Sequence, residues 1–488
     1  MASKMTIPVA CTLVVLFAGY GTEAIVGMNW GRESAQRLLP SQVVDLLLQN
    51  GIGNARVYTA QKDILAAFSG SGINLTVSIF NTLAINSIQA ARAWVEERHE
   101  FFIPTTIRSI YLGGYVFDKA HDKAYISSSL QALRWMQSAL NERQLGQQVK
   151  ANFVHCGSAM KPNKTKPSEG EFLDEFKEEM LEYVQFLQEN DAPFVIQLFP
   201  TMEAIETESF DDISFAFPDG KSNTIVKDIN GLVYTNVVEW QIDRFVWALS
   251  KLNASNLKIV VGQIGWPTDG YLHGNATNAE RFWKHLLPWV TSNKGTPLRP
   301  GEPIDIFAHA LTDETKMGFP LGRHWGIYRS NGEPKYKIDL SGQDRDIYPI
   351  TVKGIMHMPR RWCLFNGDHR DLGKVKRLFD WTCSRTDCSS LNPGGSCSSL
   401  SFEQNVSFAF NLYFQYQFQD ESACDFEGLA GLSVEDPSTE DCVFPVEVVK
   451  GQQNNYVALS ANYGWRPRPN HALFAFWVWI SALTIFFM

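Results

Sequence analysis

Residues 257–270 read Leu-Lys-Ile-Val-Val-Gly-Gln-Ile-Gly-Trp-Pro-Thr-Asp-Gly, an apolar run closed by turn-forming residues. The run predicts a strand over Leu257–Trp266. Seven more runs of this kind lie at Ile25–Trp30, Ala55–Ala60, Leu75–Phe80, Ile107–Phe117, Val149–His155, Phe194–Pro200 and Ile304–Leu311. Helix-like stretches separate them, among them Ser41–Asn50, Ser129–Leu145, Phe172–Glu189 and Gln241–Lys251. In the first of these Val44, Leu47 and Leu48 have the i, i+3, i+4 spacing of a buried face. Eight strand–helix units between Ile25 and Gly342 predict an α/β fold, a (β/α)8 barrel rather than an open sheet. Chemistry in such a barrel sits at the C-terminal ends of the strands.

With 488 residues, 45% of them hydrophobic, the chain can bury one large core and a small second one. A net charge of −9, without a basic run or a phosphate-cradling glycine loop, argues against nucleic acid as a partner. No metal-ligand set or cofactor motif is present, and nothing sets an oligomeric state. Six of the eight cysteines (Cys363, Cys383, Cys388, Cys397, Cys424 and Cys442) crowd one region and predict a disulfide framework with the pairing open. Cys11 falls in the leader, and Cys156 is expected to be a buried free thiol. Asn74, Asn163, Asn253, Asn275 and Asn405 head glycosylation sequons.

Both ends point to export. Met1–Lys4 carries positive charge, Thr6–Ala18 is apolar, and Thr22 and Ala24 suit a cleavage site, so 1–24 is expected to be a signal peptide. Ala472–Met488 is apolar to the last residue, behind the polar spacer Tyr463–His471 and the small cluster Ser460-Ala461-Asn462. That order fits a glycosylphosphatidylinositol signal with attachment at Ser460, placing the protein on the outer leaflet of the plasma membrane. A simple tail anchor is the alternative. The expected domains are the leader (1–24), the barrel (25–342), a linker (343–361), the six-cysteine module (362–445), a second linker (446–462) and a removed tail (463–488).

Three strand ends read Gly27-Met28-Asn29-Trp30-Gly31, Arg56-Val57-Tyr58 and, after the third strand, Asn81. They resemble the first-, second- and third-strand ends of glycoside hydrolase family 17, the plant glucan endo-1,3-β-glucosidases. Gly262-Gln263-Ile264-Gly265-Trp266-Pro267-Thr268-Asp269-Gly270 resembles the seventh-strand signature, and Arg323-His324-Trp325-Gly326-Ile327-Tyr328 the segment that closes the barrel. Trp362-Cys363, Asp387-Cys388-Ser389, Pro393-Gly394-Gly395-Ser396-Cys397 and Phe408–Tyr413 resemble carbohydrate-binding module family 43, which recognises β-1,3-glucan.

A retaining glycosidase needs two carboxyl groups about 5 Å apart, one acid and one nucleophile. The resemblance puts the acid at the end of the fourth strand, where this chain has Gly114-Tyr115, and the nucleophile at Gln263. A phenol is a far weaker acid than a tuned carboxyl, and an amide has no anionic oxygen with which to attack. The family's supporting carboxylate after the eighth strand corresponds to Asp313, beside Glu314 and Lys316. Gly322 replaces a further family glutamate, and Gln197-Leu198-Phe199-Pro200-Thr201 replaces an Asn and two Tyr. Asp118, Glu203, Asp269 and Asp313 are the candidate surrogate carboxylates, with Asp118 and Asp269 read first as solvated loop residues. Trp30, Tyr58, Trp266 and Trp325 are candidate stacking surfaces for sugar rings, and Asn29, Asn81 and Gln263 candidate hydrogen-bonding groups. The expectation is a cell-surface β-1,3-glucan (callose) binding protein with hydrolysis lost or strongly impaired. Two alternatives stay open: an active endo-1,3-β-glucosidase using displaced carboxylates, and a structural wall protein.

Overall fold

The computed structural model of the chain describes residues 23–162, 165–206 and 212–449. Its strands are β1 (Val26–Trp30), β2 (Asn54–Val57), β3 (Asn74–Ile79), β4 (Ile107–Leu112), β5 in two pieces (Lys150–Asn152 and Val154–His155), β6 (Phe194–Leu198), β7 (Ile259–Ile264) and β8 (Asp305–Ala308). Neighbours pair in parallel, from the first piece of β5 through β4, β3, β2, β1, β8, β7 and β6 to the second piece of β5. The two pieces flank Phe153 in one continuous stretch of chain, so the sheet closes on itself as the expected barrel. Parallel strands are covered on both faces, which is why they read as unbroken apolar runs. Tyr111, Val154, Val195, Val260 and Phe307 pack together as one cluster, and Ala55, Val57, Leu75 and Val77 join the large cluster that includes the helices.

The helices fill the connections: Pro40–Gln49, Lys62–Phe68, Ile88–Glu96, Lys123–Glu142, Lys177–Glu189, Val237–Ser250 and Ala276–Thr291. Asp122, Asn236 and Asn275 cap three of them by accepting a bond from the backbone N–H three residues on. The first helix begins at Pro40 and buries Val43, Val44, Leu46 and Leu47. Leu48, expected on that face, is 47% exposed because it follows Leu47 by about 100° of helical turn and points off the stripe.

The module follows. β9 (Trp362–Phe365) pairs antiparallel with β10 (Ala430–Ser433), beside helices Leu372–Cys383 and Phe402–Tyr416. Its disulfides join Cys363 to Cys424, Cys383 to Cys388 and Cys397 to Cys442. Phe410 stacks on Phe426 with ring centroids 3.7 Å apart at its centre. The expected linker 343–361 and the described start of the second, 446–449, are tied down. Tyr328 Oη donates to Ile350 O at 2.7 Å, Ile350 N donates to Asn50 Oδ1 at 3.0 Å, and Met358 and Val449 exchange backbone bonds with Glu447 and Met356. Of the expected signal peptide 1–24 all but the last two residues, together with the Asn163 sequon, the expected linker from residue 450, Ser460 and the expected tail 463–488, lie outside the described residues.

Candidate active-site cleft

The floor of the cleft is built from the barrel's own strands. Gly262 O on β7 accepts bonds from Asn29 Nδ2 and Arg56 Nη1, both at 3.1 Å. A side chain at 262 would bring a Cβ within 2.7 Å of Val195, so only glycine lets β7 lie this close to β6. The Arg56 guanidinium lies 5.0 Å from the ring centres of both Tyr58 and Tyr111, a cation held between two aromatic faces.

Gln263 is 7% exposed and its Oε1 accepts from Tyr58 Oη at 3.3 Å. His309 Nδ1 lies 3.1 Å from the same phenol, and burial together with Arg56 pushes that imidazole down to about 3, so it stays neutral. At the end of β4, Gly113 and Tyr115 both have positive φ, 67° and 53°. Glycine adopts that region freely, whereas an aromatic residue there costs about 1–3 kcal/mol. The Tyr115 phenol donates to Gln197 Oε1 at 2.7 Å, across the mouth from β4 to the end of β6. Burial, and then Cys156 and Tyr58, push the phenol above its ordinary pKa, so it holds its proton throughout the physiological range. Positions 115 and 263 thus carry a phenol and an amide, each bonded to a neutral group.

The surrounding carboxylates are engaged elsewhere. Lys335 Nζ lies 2.6 Å from Asp313 Oδ1, which also accepts from Gly326 N at 2.9 Å. Burial raises the pKa of Asp313, but Lys335 and His324 outweigh it and hold the group below the usual carboxylate range. Glu203 lies 3.6 Å from Arg244 Nη1, with its pKa raised by burial. Asp118 accepts from Ala120 N at 2.9 Å within its own loop. Asp269 is no solvated loop residue: it accepts from Ser390 Oγ (2.8 Å) and from Ser396 N (2.8 Å) and Oγ (2.7 Å), all in the module.

Several expected sugar contacts are corrected by burial. Trp266 has no exposed surface, stacks on Phe217 at 4.3 Å and donates from Nε1 to His273 O. Trp30 and Asn29 are likewise interior, and Trp325 is 4% exposed between Phe199 and His309. A ring with no more than 4% of its residue exposed leaves no face for a sugar to stack on. Tyr58 is half-buried and Asn81 exposed, its side chain capping Leu83 N at 3.0 Å. Cys156 is free as expected, but half-buried rather than buried, 3.2 Å from Ser158 Oγ.

Two residues were missed. Phe80 is 61% exposed directly after β3, its ring 6.0 Å from Tyr58. Nothing local separates it from the apolar run it ends. Glu314 is 4% exposed, accepts from Glu33 N at 3.2 Å, and burial pushes its carboxyl up to about 7. Glu447 is pushed up to about 8 by burial, with Lys316 opposing. Both groups stay protonated in the folded chain after the unfolded chain has lost their protons, so stability falls as pH rises from about 4.5 toward 7–8. The His324 imidazolium, which Asp387 and Asp313 raise to about 10 against the effect of burial, contributes fully below about 6.5 and progressively less above it. Below about 6.5 the buried His155 and His309, both pushed down to about 3, act the other way, because they stay neutral in the folded chain while the unfolded chain protonates them, so the melting temperature is expected to fall between pH 6.5 and pH 8, and Glu314→Gln to flatten that slope. Thermal melts in matched buffers check this, and a rise toward pH 8 would contradict it.

Among known proteins, the model of glycosyl hydrolases family 17 matches residues 26–340, and that of the X8 domain matches residues 361–431. The chain is 34% identical over 469 residues to glucan endo-1,3-beta-glucosidase 8 of Arabidopsis thaliana, covering 93% of this chain and 96% of that one. It is 36% identical over 434 residues to glucan endo-1,3-beta-glucosidase 5 of the same plant, covering 87% and 88%. Among solved structures, CJP38, a beta-1,3-glucanase and allergen of Cryptomeria japonica pollen, superposes with a TM-score of 0.61 at 28% identity, covering 65% of this chain and 99% of that one.

Proposed function

The chain belongs to glycosyl hydrolases family 17 and carries an X8 domain, and from that membership we propose that it binds β-1,3-glucan (callose) of the cell wall with hydrolysis lost or strongly impaired. One observation carries this reading. The acid and nucleophile positions hold Tyr115 and Gln263, hydrogen-bonded to Gln197 and Tyr58, so neither a transferable proton near neutral pH nor an attacking anion stands there. Asp118, Glu203, Asp269 and Asp313 each have a structural partner. What the cleft keeps is suited to holding sugar: the half-buried Tyr58, the Gln263 amide, Asn81 and the open face of Phe80. The leader 1–24, attachment at Ser460 and the tail 463–488 complete the proposal, placing the barrel and module on the outer face of the plasma membrane.

Incubating the protein with a linear β-1,3-glucan, and measuring both pelleted protein and new reducing ends, tests this. Binding without reducing ends is the expected outcome, and sustained release of reducing ends would refute it. Absence of binding would favour a structural wall role. Glu314 supports a second reading, an active hydrolase with a displaced acid, because it is a buried carboxyl following β8 that burial pushes up to about 7. Reducing ends that disappear in Glu314→Gln would establish that second reading.

A further inference from the structure

The barrel and the module meet on the face that carries the cleft. The segment leaving β7 supplies Asp269, with its three bonds to Ser390 and Ser396. The segment following β8 supplies Arg323 and His324: Arg323 Nη1 lies 2.9 Å from Asp387 Oδ1, and His324 Nε2 lies 3.0 Å from Asp387 Oδ2. His324 Nδ1 is also 3.8 Å from Asp313, which pairs with Lys335. Lys335, Asp313, His324, Asp387 and Arg323 thus form a row of alternating sign running from under the cleft into the module, no side chain more than 18% exposed. Buried charges are stable only while each keeps its neighbour, so the row holds the two domains in one arrangement. The backbones close in as well: a Cβ at Gly270 would lie 3.2 Å from Ser389, and one at Gly394 would lie 3.2 Å from Leu272.

The docked turn of the module has a second feature. The Cys383–Cys388 disulfide ties it to the end of helix Leu372–Cys383, and two residues before Cys383 stands Trp381, 37% exposed. The Arg385 guanidinium lies 4.2 Å from the Trp381 ring, and Tyr413 packs edge-on at 4.9 Å. The guanidinium lies over the indole, its Nη1 donating to Trp381 O at 3.1 Å and to Ser384 Oγ at 3.0 Å, and the part of the ring left exposed offers an apolar surface for a pyranose, with the remaining guanidinium N–H groups as donors for its hydroxyls. On the barrel side of the same seam, Leu272 is 54% exposed.

We propose that cleft and module form one continuous β-1,3-glucan surface, the module being a fixed extension of the cleft beyond the ends of β7 and β8, with Trp381 and Arg385 as its sugar-contacting pair. This rests on the glucan-binding reading above. A glucan long enough to cross the seam engages both halves at once, and rigid docking removes the entropy a flexible tether would spend on the second contact. A short oligosaccharide engages one half only.

The test uses the full chain, with affinity measured for a β-1,3-linked trisaccharide and for a long linear β-1,3-glucan oligosaccharide, and with hydrogen exchange followed at 267–274 and 387–396. The parent chain is expected to protect both segments and to bind the long ligand at least ~10-fold more tightly than the short one. Asp269→Ala with Asp387→Ala is expected to release that protection and lower long-ligand affinity toward that of the trisaccharide, leaving trisaccharide affinity unchanged. Trp381→Ala is expected to lower long-ligand affinity with the seam still protected, which keeps the test independent of how the double variant folds. Unchanged long-ligand affinity in Trp381→Ala, or in an unprotected double variant, would overturn the proposal, as would a seam that stays protected without Asp269 and Asp387. A parent chain that binds neither ligand would instead defeat the glucan-binding reading itself.

Discussion

Replacing Tyr115 and Gln263 together by glutamate is expected to raise β-1,3-glucan hydrolysis at least ~100-fold above the parent chain, while either replacement alone leaves it near background. The non-additivity follows from the chemistry. A glutamate at 263 supplies an anion where Tyr58 already donates a hydrogen bond, at 3.3 Å from the present amide oxygen. Without an acid across the cleft, however, the glycosidic oxygen leaves as an alkoxide and the attack stalls. A glutamate at 115 alone supplies the proton but no nucleophile. Position 115 also has φ of 53°, which a glutamate tolerates no better than a tyrosine and without the bond to Gln197. Adding Gly114→Asn to the pair is expected to increase the gain further, by placing a side-chain amide beside the new acid where the chain now has none. Reducing-end release from a linear glucan over hours measures the series. Full activity from Gln263→Glu alone would show that another group, with Glu314 the foremost candidate, already serves as the acid.

Which parts of this site were legible in the sequence follows from how local each signal is. The eight strands were readable because a strand covered on both faces must be apolar along its length, as Ile259–Ile264 is, and nothing distant alters that requirement. That Tyr115 and Gln263 stand at strand ends was readable because each closes an apolar run, and the structure puts them just after β4 and on β7. The roles of Trp30 and Trp266 were not. A tryptophan at a strand end serves equally as core or as platform, and for Trp266 the choice is made by Phe217, which reaches it from the connection between β6 and β7. Asp269 escaped for the same reason. Its partners lie 121 and 127 residues away in a different domain, and in isolation Thr-Asp-Gly reads only as a turn. Leu48 shows a smaller error: Leu46, Leu47 and Leu48 are all apolar, so spacing alone does not say which of them lie on the buried stripe.

Removing the Cys363–Cys424 disulfide by a double alanine substitution is expected to cost the module about 4 kcal/mol, enough to bring its unfolding well below that of the barrel in a calorimetric scan. The bridge closes 61 residues of chain and both sulfurs sit in the module's core with Phe410 and Phe426, so its loss frees a long loop and leaves apolar space unfilled. The Cys383–Cys388 bridge closes only 5 residues, for which loop closure alone gives about 2 kcal/mol. That smaller bridge nevertheless fixes the turn carrying Asp387, which meets Arg323 and His324 across the seam. The two double variants should therefore separate. Loss of Cys363–Cys424 unfolds the module first, whereas loss of Cys383–Cys388 leaves it folded but loosens its hold on the barrel. Calorimetry combined with exchange at 387–396 distinguishes them. If the short bridge proves the costlier of the two, module stability is set by the docked interface rather than by chain closure, and the six cysteines serve the alignment of the two domains more than the fold of the module.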